Sequence, residues 1–173
     1  MSSDVLVTTP AQRQTEPHAE AVSRNRRQQA TFRKVLAAAM ATLREKSYAD
    51  LTVRLVAARA KVAPATAYTY FSSKNHLIAE VYLDLVRQVP CVTDVNVPMP
   101  IRVTSSLRHL ALVVADEPEI GAACTAALLD GGADPAVRAV RDRIGAEIHR
   151  RITSAIGPGA DPGTVFALEM AFF

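Results

Sequence analysis

The chain has 173 residues, 49% of them hydrophobic, which is enough for a folded domain whose core needs no covalent staples. Only two cysteines are present, Cys91 and Cys124, with no CxxC and no nearby histidine pair, so neither a disulfide framework nor a metal site is indicated. Both read as small apolar residues in a reducing cytoplasm. Net charge is only +3, but residues 21–80 hold eleven Lys and Arg against three acids, a net of +8, while residues 81–173 hold eight against eleven, a net of −3. A basic unit that binds a polyanion, followed by a mildly acidic unit with another task, fits that split.

The first thirty residues contain no long apolar run behind a basic head, which excludes a signal peptide or membrane anchor there. Residues 1–23 read as a polar, flexible tail. Phe32, Val35, Leu36, Ala39, Met40 and Leu43 then recur at helical spacing and predict an amphipathic helix from about 26 to 46. Thr52 is placed to cap a second helix over "VRLVAARA", and three residues later Pro64 opens a third. Ser72 and Ser73 offer caps to a fourth helix that Leu77, Ile78, Val81, Tyr82 and Leu85 carry to about Gln88.

Two short helices joined by three residues, flanked by longer ones and rich in Arg and Lys, form the outline of a helix-turn-helix DNA-binding unit over residues 24–88. "PCVTDVNVPMP", with three prolines, reads as a linker. Helical stretches follow at Val103 to Ala115, Glu119 to Leu129 and Pro135 to Ile156, and a last one begins in "DPGTVFALEMAFF". No strand alternation or internal repeat interrupts them, and the expected class is all-α.

The stretch "SYADLTVRLVAARAKVAPATAYTYFSSKNHL", Ser47 to Leu77, resembles the N-terminal pattern of the tetracycline-repressor (TetR) family of bacterial transcription regulators. Agreement falls at fixed spacing on Tyr48, Thr52, Val53, Ala57, Ala60, Val62, Thr66, Tyr68, Tyr70, Phe71, Ser73, Lys74 and Leu77. The resemblance implies a fourth helix linking the DNA-binding unit to a helical ligand-binding and dimerisation domain, residues 101–173. It implies a homodimer that holds a palindromic operator in double-stranded DNA, acts as a repressor, and is released by a small apolar effector. Pro64, Ala65, Thr66, Tyr68 and Thr69 are then the groove-facing surface, where small residues admit close approach and hydroxyls meet bases or phosphates. Tyr68 and Tyr70 are implied to touch phosphate or thymine methyl groups, Phe71 to pack inward against the first and fourth helices, and Lys74 to clamp a phosphate. Thr52 and Arg54 would meet the backbone at the second helix. A basic arm, Arg24, Arg26 and Arg27, ahead of the first helix, is a further candidate contact.

Four residues depart from the family pattern: Lys61 and Ala65 replace glycine, Ala63 replaces a serine cap, and Ala67 replaces leucine. Lys61 falls at a turn that tends to need positive φ, so strain of roughly 1 kcal/mol is expected. In the later helices Leu107, Leu110, Val114, Cys124 and Leu128, with Ile148, Ile152, Phe166 and Met170, are candidate pocket walls, although each fits ordinary core better. His109 and His149 interrupt the apolar faces and read as surface or satisfied histidines. The chain ends inside an apolar helix, which points to a fragment lacking a final dimerisation helix or to a different dimer. No HExxH, phosphate loop, nucleophile elbow or close carboxylate pair marks an enzyme, no cofactor is called for, and no membrane segment is expected. The competing reading is a helical protein-interaction module with a degenerate helix-turn-helix.

Overall fold

Helices make up the regular structure of this computed structural model, which describes the backbone of residues 16–172 and the side chains of residues 24–171. In chain order these are α1 (Glu16–Leu43), α2 (Val53–Arg59), α3 (Pro64–Tyr70), α4 (Lys74–Gln88), α5 (Met99–Ala111), α6 (Pro118–Asp130), α7 (Pro135–Ile156) and α8 (Pro162–Phe172), with a 3-10 turn at Gly131–Ala133. Among the described residues there is no strand, so the class is all-α as expected. No described helix is long and apolar enough to cross a membrane.

Local chemistry explains the starts. Pro64, Pro118, Pro135 and Pro162 each occupy the first helical position, where the missing N–H removes no hydrogen bond, and Pro100 sits in the first turn of α5. Thr52, Ser73 and Asp134 cap α2, α4 and α7 by accepting from the amides of Leu55, His76 and Ala136. Helix α1 begins at Glu16, ten residues before the start near residue 26 that the apolar periodicity predicts, because a helix can extend beyond its apolar stripe. It therefore takes in residues 16–23 of the expected tail; residues 1–15 lie outside the described part. Helix α5 is shifted four residues toward the N-terminus from its predicted span, since proline in its first turn starts the helix that the linker reading had excluded.

Two apolar clusters share one helix. Leu77, Ile78 and Val81 of α4 pack into the first, with Val35, Leu36, Ala39 and Leu43 of α1, Val56 and Ala57 of α2, and Phe71. Ala79, Leu83 and Val86 of α4 pack into the second, with Leu110 of α5, Val137, Val140, Ile144, Ile148 and Ile152 of α7, and Val165 of α8. Every residue from Leu77 to Val81 is buried, so α4 is surrounded rather than amphipathic over that stretch. Helix α6 contributes Ile120, Ala123, Cys124 and Ala127 to the first cluster, so the core of the N-terminal helices runs across the linker into the second half.

Buried arginines close helix ends. Arg102, 6% exposed, donates to the carbonyls of Ala155 and Ile156 at 2.8 Å, where α7 ends at Gly157 with φ of 91°. Arg151, 3% exposed, donates to the carbonyls of Arg87 (2.9 Å) and Val89, and so ties α7 to the end of α4. Gly131 sits flush against its neighbours: a Cβ there would lie 2.8 Å from Val137 Cγ2 and 3.2 Å from Asn75 Cβ.

Candidate nucleic-acid interface

Helix α3 has seven residues, and only Ala67 is fully buried. Ala67 is buried in the same cluster as Ala57 of α2 and Ala60, which caps it, so small residues let the two helices pack closely. Pro64, Ala65, Thr66, Tyr68 and Thr69 are all exposed, Tyr68 by 52%. A large aromatic held in water on a short helix has given up apolar burial of about 1.5–3 kcal/mol. The Thr69 hydroxyl donates to Thr66 O at 2.6 Å, whereas the Thr66 hydroxyl has no partner among the described residues.

The turn ahead of α3 is an αL helix ending. Val62 N donates to Ala57 O (2.9 Å) and Lys61 N to Ala58 O (3.1 Å), the paired bonds of a Schellman motif. That motif requires positive φ at Lys61, which has φ of 53° and is the one non-glycine residue in that region among those described. The strain expected from the sequence is therefore present. The missing cap is present too: Ala63 makes no side-chain hydrogen bond to the start of α3.

Thr52 is exposed, but its hydroxyl oxygen accepts from Leu55 N at 3.1 Å, so it orients α2. Arg54 is exposed and, like Lys46 and Lys61, forms no ion pair among the described residues. Arg59 and Arg44 are different. Arg59 grips Glu45 through both its terminal nitrogens (2.5 and 2.6 Å), and Arg44 grips Glu117 through two bonds of 2.5 Å. Hydrogen bonds from these guanidinium groups hold both glutamates below the usual carboxylate range.

Tyr70, Phe71 and Lys74 have partners within the protein. Tyr70 is half-buried, edge-on to Phe32 (6.1 Å between centroids) and tilted against Phe71, so it belongs to an aromatic cluster and not to the exposed face. Phe71 is fully buried, stacked on Phe32 of α1 at 5.1 Å and edge-on to His76 of α4, as the resemblance implied. Lys74 is half-buried: Nζ donates to Tyr48 O at 3.1 Å and lies 4.1 Å from the Tyr48 ring centroid. It clamps the α1–α2 loop onto the start of α4, with the Tyr48 hydroxyl donating to Asn75 beside it. Arg24, Arg26 and Arg27 are exposed but lie within α1 and form no arm, since the helix starts before them.

Sequence reasoning missed the polar links between the halves. Ser73, the cap of α4, donates to Asp134, the cap of α7, at 3.0 Å. Glu80, buried in α4, is held by Arg143 of α7 and by His76, whose Nε2 is 3.6 Å away. Burial would raise the Glu80 carboxyl, but hydrogen bonds from His76 and Arg143 outweigh it and hold the group below its usual value. Only three-dimensional proximity reveals these pairs, which lie more than sixty residues apart in sequence.

A cavity of 690 Å³ lies between α4, α5, α6 and α7, and five of the nine predicted wall residues line it: Leu110, Val114, Cys124, Leu128 and Ile148. Ile152 is core, Leu107 packs half-buried beside the second cluster, and Phe166 and Met170 are exposed by 62% and 57%. These four miss the cavity because helical periodicity identifies an apolar face without saying what it faces. His149 is paired with Glu169 at 2.6 Å, and His109 is exposed. Among the described residues no three His, Cys, Asp or Glu side chains cluster as metal ligands would.

Residues 35–81 match the profile described as "Bacterial regulatory proteins, tetR family". The fold is similar to that of a TetR transcriptional regulator from Rhodococcus sp. RHA1, with a TM-score of 0.67 at 22% identity, over 84% of this chain and 78% of that one. A protein assigned as a transcription regulator from Lactobacillus plantarum aligns over 82% of this chain and 97% of its own, at 16% identity and a TM-score of 0.42.

Proposed function

Taking the chain as a tetR-family transcriptional regulator, we propose that it works as a homodimeric repressor, reading a palindromic operator with α3 and leaving it when a small molecule fills the cavity beside α4. The observation that carries this reading is the surface of α3. Pro64, Ala65, Thr66, Tyr68 and Thr69 stand exposed together, flanked by the unpaired cations Arg54 and Lys61. Small side chains let the helix approach a groove, the Thr66 hydroxyl is free for a base edge or phosphate, and the Tyr68 ring suits a thymine methyl or sugar. Arg54 and Lys61 supply sequence-independent attraction, each phosphate contact adding about −0.9 to the log-log salt slope.

Two copies would set their α3 helices in successive major grooves, roughly 34–36 Å apart. Helix α4 supports release, because Tyr82 lines the cavity while Lys74, in its first turn, holds the α1–α2 loop and Ser73, its cap, holds Asp134 at the start of α7. A ligand that favours one placement of α4 shifts the population of dimers whose spacing fits DNA. The polar links Ser73–Asp134, Glu80–Arg143 and Arg44–Glu117 would transmit that displacement.

The test is enrichment of genomic DNA fragments by the purified chain beside a Thr66→Ala, Tyr68→Ala double variant. Recovery of a short palindrome by the parent alone is the expected result. Failure of the parent to retain DNA at low salt would transfer the reading to a protein-interaction module.

A further inference from the structure

The cavity has a chemical character that narrows its ligand. At 690 Å³ it falls inside the range of about 300–1,000 Å³ typical of small-molecule sites. Leu110, Leu128, Ile144 and Ile148 make its walls apolar, and burial pushes the Cys124 thiol up to about 12, so that wall stays neutral. Among the described residues no Asp or Glu lines it.

Three polar side chains interrupt that lining: Arg141, Tyr82 and the Thr125 hydroxyl. Arg141 is exposed, donates one N–H to Leu128 O at the last turn of α6, and forms no ion pair among the described residues. A guanidinium has five N–H donors, so most of its capacity is unused. Tyr82 lines the same cavity from α4; burial disfavours its ionisation, and its hydroxyl has no partner among the described residues. A single cation and neutral donors on an apolar wall are complementary to one anionic head on an apolar body.

We propose that the cavity binds an anionic amphiphile, a carboxylate held by Arg141 with its hydrocarbon part among Leu110, Leu128, Ile144 and Ile148. This deepens the effector reading above and rests on it for the consequence of binding, though not for binding itself. The carboxylate replaces solvent at Arg141 and accepts from Tyr82, and the hydrocarbon displaces water from the walls. An alcohol of the same length loses the charge-assisted bond, and an amine meets a like charge.

The experiment uses decanoate, 1-decanol and decylamine, each below its aggregation concentration, titrated calorimetrically into the full chain and into an Arg141→Gln variant. In the parent, decanoate should bind about tenfold or more tighter than decanol, as expected for one charge-assisted hydrogen bond, and decylamine should bind weakest. The variant should bring the decanoate-to-decanol ratio close to one. Equal affinities in the parent, a preference that survives Arg141→Gln, or no binding by any of the three would each overturn the proposal. DNA retention is measured without ligand in a separate arm. Loss of DNA binding with decanoate selectivity intact would overturn the regulator reading alone, and decanoate binding without release of DNA would overturn only the effector role.

Discussion

Arg54 of the N-terminal half and the pair Arg102 and Arg151 of the second half are used in opposite ways. In the N-terminal half Arg54 is exposed and has no carboxylate partner among the described residues. In the second half Arg102 and Arg151 are almost fully buried and donate to backbone carbonyls at the ends of α7 and α4, Arg151 also pairing with Glu147 at 2.9 Å. Counting charges along the chain treats these residues alike. The difference teaches that available charge is set by partners: Arg44 and Arg59 are neutralised by Glu117 and Glu45, so part of the basic excess of residues 21–80 never faces solvent unpaired.

The sharpest way to break this contrast is Arg151→Met, which leaves the carbonyls of Arg87 and Val89 without their donors. Removing one side of a buried charged network should cost about 3 kcal/mol or more, roughly 6–12 °C in Tm for a chain of this size. Thermal unfolding followed by circular dichroism measures it, and a shift of only a degree or two would show that Arg151 is dispensable. Arg54→Ala should do the reverse. Stability should change by less than about 0.5 kcal/mol, while the salt slope of DNA binding flattens by about one.

Lys74→Ala tests the residue that lies between the two cases. Loss of its bond to Tyr48 O and its place over the Tyr48 ring should lower stability by about 1 kcal/mol. If its remaining donors also meet phosphate, the salt slope flattens as well; an unchanged slope assigns it to the fold alone. Lys61→Gly should stabilise the chain by up to about 1 kcal/mol by relieving a side chain held at positive φ, and a lowered midpoint in urea would refute that strain.

The smallest expected change is in pH dependence. The Glu80 carboxyl is held below its unfolded value, so its contribution is present above the unfolded pKa of about 4.3 and is lost as pH falls through the lower folded value. Glu80→Gln should therefore flatten the acid limb of Tm against pH below about 4.3 and leave its shape above pH 5 unchanged. An acid limb as steep as the parent's would place the titrating group elsewhere.

Much of the N-terminal half was legible because its constraints are local. Thr52, Pro64 and Ser73 announce helix starts from chemistry within a few residues, and the resemblance, in which Lys61 takes the place of a glycine, announces a strained turn. The exposed face of α3 followed from the same spacing. The partners that Tyr70 and Lys74 have within the protein were not legible, because a resemblance transfers position without partners: Phe32 and Tyr48 lie 38 and 26 residues away. In the second half apolar periodicity found the helices, yet it could not separate Leu128, which lines the cavity, from Ile152, which fills the core. That distinction depends on which helices meet, and no local rule encodes it.

Helix α4 is surrounded by the two clusters from Leu77 to Val81, and this bears on how the chain folds. Cutting after Gln88 would strip Ile120, Ala123, Cys124 and Ala127 from the first cluster and bare Ala79, Leu83 and Val86 to water. Neither half then has a complete interior of its own, so unfolding should be a single all-or-none transition in which both halves melt together. Any molecule that tightens the second cluster would also raise the melting temperature of the helix-turn-helix, although it never touches it.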